Sequence, residues 1–188
     1  GVAGVDFGSG TAAIFERNGD TWEVANVVMG EVEGFDAVSG GQIDCTGGVA
    51  SAFDCGEYDL VSFMPVRDMA PRGVTVNDVW GWTDPETRRE YALVGRRDGS
   101  AFVDVTDANN PRYLGQLLRP EGSSPSTWTD IKVYENHAFI VADGAGQHGI
   151  QVFDLTQLRD VTEPVTFEET AHYDGVASAH NIVINEES

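Results

Sequence analysis

Three side chains with oxygen donors recur at nearly constant spacing: Asp78, Asp130 and Asn181, 52 and 51 residues apart. If the fold brings these positions together, carboxylate and amide oxygens converge, and hard cations such as Ca²⁺ or Mg²⁺ take such ligands. The same residue types also cap turns or bond a neighbouring backbone, which is a purely structural use. His172 and His180 stand eight residues apart around Gly175. With Asp78 and Asp130 they form a donor set for Zn or Cu, since neutral imidazole suits both metals. No H-E-x-x-H or H-x-H spacing accompanies them. His137 and His148 read as strand-edge and loop residues. Nucleophile motifs are missing: there is no G-x-S-x-G, and Ser178 neighbours His180 in sequence alone. Gly8-Ser-Gly10 and Gly144-Ala-Gly146 lack the Lys-Ser/Thr of a phosphate loop. Trp80, Trp82 and Trp128 serve either as packing aromatics between sheets or as platforms for stacked sugar rings.

The elements that must hold these residues are strands. Short β-rich runs are punctuated by Gly, Asn-Gly, Asp-Gly and Asn-Pro, and helical periodicity is almost missing. Strands are expected at Val24–Val28, Tyr91–Val94, Ala101–Val105, Ala138–Val141 and Ile150–Phe153. Only Asp59–Met69 and Leu155–Arg159 suit a helical turn. The runs repeat: Asn77-Asp-Val-Trp-Gly-Trp82 aligns with Thr129-Asp-Ile-Lys-Val-Tyr134 and then with His180-Asn-Ile-Val-Ile-Asn185. Glu90–Gly95 matches His137–Ala142, and Ser100–Thr106 matches Ile150–Thr156, with Asp104 and Asp154 fifty apart. A fourth strand is expected at Arg112–Leu117 and again near Val165–Glu168.

Four short strands in about 50 residues is the size of one β-propeller blade. A blade cannot bury both faces alone, so blades stack around an axis. The expected fold is therefore an all-β propeller of four-stranded antiparallel blades. The chain holds two full repeats and the first strand of a third, and a ring needs at least about four blades. It is read as an incomplete ring, a fragment or a chain completed by partner chains. The innermost strands line the central channel, which places Asp78, Asp130, His180 and Asn181 at its mouth as a ligand site.

Cys45 and Cys55 stand ten apart with no C-x-x-C, around a turn-rich segment that a disulfide would close. Such a bridge implies an oxidising compartment; two free thiols are the alternative. The formal charge is −20, from 11 basic and 31 acidic residues, with Lys132 the single lysine. That balance repels phosphate backbones, so nucleic acid is not an expected partner. No apolar run approaches the ~20 residues of a membrane span. The carboxylates make calcium the cofactor this surface would suit, without fixing a site.

From about Cys45 to Ser188 the chain resembles the choice-of-anchor B family, secreted bacterial proteins built from LVIVD-type propeller repeats. Trp80-Gly-Trp-Thr-Asp-Pro85, Glu90–Gly95, Ala101-Phe-Val-Asp-Val-Thr-Asp107, Trp128–Tyr134, Gln151-Val-Phe-Asp-Leu155 and Ser178-Ala-His-Asn-Ile-Val-Ile-Asn-Glu186 carry the resemblance. The paired cysteines ahead of the first blade also fit. The resemblance implies export and attachment at the cell surface, with no established reaction. Gly8–Trp22, with its Asn18-Gly-Asp20 turn, is similar to an FG-GAP unit of integrin-like propellers, although the Asp-x-Asp-x-Asp-Gly calcium loop of some such units is absent.

The expected organisation is an FG-GAP-like segment over 1–34, a disulfide-containing lead-in over 35–76, and propeller repeats over 77–188. The expected function is an extracellular, cell-surface binding or scaffold module, stabilised by Ca²⁺, with a protein or glycan as partner. Two other classes stay open. One is a metal-dependent hydrolase or lyase at the channel mouth; the other is a structural subunit of an extracellular assembly.

Overall fold

Alternation decides which face of each strand turns inward. In Glu90–Arg96 the side chains of Tyr91 and Leu93 are buried while their neighbours Glu90, Ala92 and Val94 are more exposed, the period of two that a half-buried strand requires. A computed structural model describes residues 2–6, 11–18, 21–29, 35–71 and 73–185. It is all-β, with antiparallel sheets and, among the described residues, no α-helix. The only helical pieces described are 3₁₀ turns at Val66–Asp68 and Leu155–Leu158, inside the two segments expected to turn. All five expected strands are present. By chain contacts the protein divides into two compact units, Gly1–Val66 and Arg67–Ser188.

In the first unit, β1 (Val2–Asp6), β2 (Thr11–Asn18) and β3 (Thr21–Met29) form an antiparallel sheet in that order. Gly8–Gly10, the Gly19-Asp20 turn and the Trp22 side chain of the FG-GAP-like reading lie outside the described residues. Further along, β4 (Val49–Ala50) and β5 (Phe53–Asp54) make a hairpin enclosed by a Cys45–Cys55 disulfide. Phe53 packs against Phe35 and Phe63, with ring centroids 5.0 and 4.8 Å apart.

The second unit contains both full repeats. The first forms the antiparallel run β6 (Val76–Thr83), β7 (Glu90–Arg96), β8 (Gly99–Asp104) and β9 (Arg112–Leu118). The second forms β10 (Thr129–Tyr134), β11 (His137–Ala142), β12 (Ile150–Asp154) and β14 (Ala171–Tyr173). Their shared core is Leu93, Phe102, Leu114, Ile131, Ile140, Phe153 and Leu155, all essentially without exposed surface.

Two expectations are corrected. Val165–Phe167 is not the fourth strand of the second repeat: as β13 it runs parallel to β9 on the outer edge of the first sheet. Phe167 causes this, because its ring sits 5.6 Å from Phe102 and 5.1 Å from Phe153 and draws its strand across. Gly115 leaves the room; a Cβ there would lie 2.0 Å from the Val165 carbonyl oxygen, at a backbone φ of +137°. The fourth place on β12 goes instead to Ala171–Tyr173, six residues later than expected. Second, His180–Asn185 is not in a strand.

Candidate functional site

The aspartates that recur at one position lie on β6 and β10, each the edge strand of its sheet. Asp78 Oδ2 accepts a hydrogen bond from the Ile131 backbone N–H at 3.0 Å. Asp130 Oδ2 accepts one from the Ile182 N–H at 2.7 Å. The same bond therefore occurs twice: the residue after the recurring position donates its N–H to the aspartate about 52 residues earlier. Asn77 Nδ2 adds a bond to the Thr129 carbonyl, 2.8 Å away. These links are the backbone-bonding use of Asx residues.

The remaining oxygen of Asp130 meets Lys132 Nζ at 2.5 Å, and that ammonium stands 4.3 Å from the Trp80 ring centroid. Trp80 is thus a half-exposed indole capped by the chain's one lysine. Trp82 is buried and stacks on Tyr91, centroids 5.1 Å apart, as a packing aromatic.

The two histidines of the expected metal set belong to different neighbourhoods. His172, on β14, has its Nδ1 3.1 Å from Glu169 Oε2. His180 has its Nδ1 2.9 Å from Asp143 Oδ2. Asn181 is exposed, and its neighbour Ile182 receives the Asp130 bond. Among the described residues no group of three or more His, Cys, Asp or Glu side chains is placed to hold a metal ion. Backbone N–H groups engage Asp78 and Asp130, Lys132 also bonds Asp130, and His172 and His180 are paired with Glu169 and Asp143.

What the fold does assemble is a cluster at the start of β10. Trp128 and Asp143 extend the β10–β11 ladder by one position, with the Asp143 N–H donating to the Trp128 carbonyl at 3.0 Å. Ser126 Oγ donates to the Asp143 carbonyl and accepts the Trp128 N–H, which locks the two main chains together. His180 then leans across, bonded to Asp143, with its ring 6.1 Å from the Trp128 ring. The His180 bond holds the Asp143 carboxyl below its ordinary value. Trp128 was visible in the sequence as an exposed-or-packed aromatic, but Asp143 was not. Its one signal is a difference between repeats: Asp143 stands where the first repeat has the fully buried Arg96.

Two arginines missed by sequence reasoning brace the same unit. Arg159 makes a two-pronged bond to Asp84, 2.8 Å on each arm, joining the β6–β7 turn to the turn after β12. Arg119 donates to the carbonyls of Arg96, Arg97 and Ser126 and to Thr129 Oγ1. Burial pushes its guanidinium down to about 10, still charged at neutral pH.

Set against protein-family models, curated proteins and solved structures, the chain gives no match.

Proposed function

We propose that this chain is part of an extracellular β-propeller of the choice-of-anchor B type, acting as a binding or scaffold module rather than as an enzyme. The observation that carries the reading is the repeated hand-over of a hydrogen bond, Asp78 to Ile131 N–H and Asp130 to Ile182 N–H. A bond passed forward at a fixed interval is what sheets stacked around an axis need, since each inner strand must be tied to the next. Further repeats or partner chains would complete the ring. The same bonds commit the carboxylates that a metal-dependent hydrolase would require at the axis. The Cys45–Cys55 bridge supports an oxidising compartment, and the strongly acidic, lysine-poor composition suits a hydrated outer surface.

Unfolding of Asp78→Ala and Asp78→Asn, each with and without chelator and with metal content measured, tests this. Removing the acceptor leaves the buried Ile131 N–H unsatisfied, so Asp78→Ala should cost about 1–3 kcal/mol. Asp78→Asn keeps an accepting oxygen and should stay close to the parent, and chelation should change neither. A stoichiometric transition metal lost equally from both variants, with stability unchanged, would overturn the reading in favour of the enzyme.

A further inference from the structure

We propose that residues 174–185 form an acid-released strap, latched to the β11–β12 turn by the main chain of the buried His148. Leaving β14, the strap is pinned in sequence. The His148 and Gly149 N–H groups both donate to the Ala177 carbonyl, at 2.8 and 3.0 Å. The Ala142 carbonyl accepts from Ser178 Oγ at 2.9 Å and from the Ala179 N–H at 3.3 Å. His180 meets Asp143 at 2.9 Å, and the Ile182 N–H reaches Asp130 at 2.7 Å. Apolar packing adds little, since no strap residue is fully buried and Val183 is 88% exposed. A segment held by a few bonds rather than by a core opens locally at low cost.

His148 is the buried member of this set. It is 1% exposed, and its Nδ1 stands 3.1 Å from the Gly149 carbonyl oxygen. A carbonyl only accepts, so Nδ1 carries the proton of the neutral ring and Nε2 has none. A second proton, on Nε2, would enclose a cation in the fold. Burial opposes that charge first, and the Gly149 carbonyl supports it; Arg119, after β9, and His172, on β14, oppose it, and Glu169, ahead of β14, supports it. Glu169 is already bonded to Gln151 and His172. The charged ring is hydrated only by leaving its place, and its surroundings have no slack. A Cβ on Gly149, at a backbone φ of +69°, would lie 2.5 Å from the Tyr173 carbonyl oxygen. Departure of the ring therefore moves the main chain at His148 and Gly149, and the two N–H groups that hold Ala177 move with it.

His180 works the other way, because protonation turns its bond to Asp143 into an ion pair. The two side chains are 63% and 46% exposed, and a pair so open to water contributes little. The buried group therefore sets the direction. Above about 6.5, the ordinary histidine value, His148 is neutral whether the strap is latched or released, and the latch has its full strength. As pH falls below that value the released form takes the proton first. Release then becomes about tenfold more favourable for each unit of pH, until the latched form is protonated as well. Opening strips the Ile182 N–H from Asp130, whereas the Asp78–Ile131 bond joins two sheet strands and stays. Acid thus undoes the forward bond of the second repeat and not that of the first.

Native-state hydrogen exchange read by NMR between about pH 7.5 and 5, corrected for intrinsic amide rates, tests the strap. Protection at the Gly149, Ala179 and Ile182 amides should fall about tenfold per unit below about pH 6.5, while the β11 amides keep theirs. His148→Asn retains the backbone N–H and does not titrate, so it should abolish that dependence. His180→Asn should leave the dependence in place. In the parent protein the His148 ring resonances should titrate over the same range in which the strap amides open, a reading that needs no variant to fold. Protection indifferent to pH, a loss shared equally by β11, or a dependence that survives His148→Asn would each overturn the strap. So would a His148 ring that titrates while the strap amides stay protected. The Asp78 variants are read at neutral pH with the strap closed, so that reading and this one fail separately.

Discussion

Asp84 has no exposed surface, yet it is ionised: Arg159 donates twice to it, Thr87 Oγ1 donates at 2.6 Å and the Glu86 N–H at 3.0 Å. The Arg159 guanidinium outweighs the burial and holds the carboxyl far below the usual carboxylate range. Its contribution is therefore complete above the unfolded value near 4 and is lost as pH falls below it. His148 works in the same direction at higher pH. Its side chain is 1% exposed. Burial pushes its imidazole down, and Arg119 and His172 push the same way against the Gly149 carbonyl and Glu169. The unfolded chain then takes the proton first, so stability present above about 6.5 declines as pH drops through the depressed folded value. Chemical denaturation between pH 7 and 3 should show two losses, one beginning near 6.5 and one near 4. His148→Asn should flatten the first, and Arg159→Ala should lower Tm by several degrees at pH 7 while flattening the second. A single loss confined to the acid limb would mean that His148 takes its proton without resistance.

At the scale of elements, β13 lies against β9 at a glycine. Gly115 alone allows it to approach β9. Gly115→Ala should cost about 1–3 kcal/mol from the backbone conformation alone, and hydrogen exchange should show Val165–Phe167 losing protection while β7 and β8 keep theirs. Unchanged protection at β13 would mean that Phe167 by itself holds the strand. The same element marks where sequence reading stopped. Tyr91–Val94 or Ala138–Val141 announce themselves because β-branched and aromatic residues alternate between turn signals. Val165-Thr-Phe167 does so equally well, but which sheet it joins is set by where Phe167 finds a gap between Phe102 and Phe153. Ala171-His-Tyr173 carries almost no β-branched or alternating apolar signal, and it pairs with β12 through its backbone. The recurrence of Asp78 and Asp130 was plain in the sequence. Whether they held a cation or a neighbouring N–H depended on a distance between sheets, which spacing along a chain does not contain. Asp143 was invisible for the opposite reason: it breaks the repeat.

Over the whole molecule, the acidic charge and the disulfide are unevenly placed. Residues 1–70 hold twelve carboxylates against Arg17 and Arg67, and the only two cysteines lie in the same stretch. Closing that loop contributes about 2–3 kcal/mol in the chain-entropy model. Reduction should therefore weaken hydrogen-exchange protection around β4 and β5, while β7, β8, β11 and β12 in the second compact unit keep theirs. Loss of protection in both units on reduction would show that they unfold as one body. The direction of the aspartate bonds has a consequence for synthesis and for lineage. Asp78 precedes the N–H it receives by 53 residues, and Asp130 by 52. As the chain leaves the ribosome, the acceptor is already in place when the later strand emerges, so each finished repeat is a template for the next. A duplicated repeat would likewise arrive with a carboxylate for its successor and an N–H for its predecessor, so the array can lengthen without any new contact having to evolve.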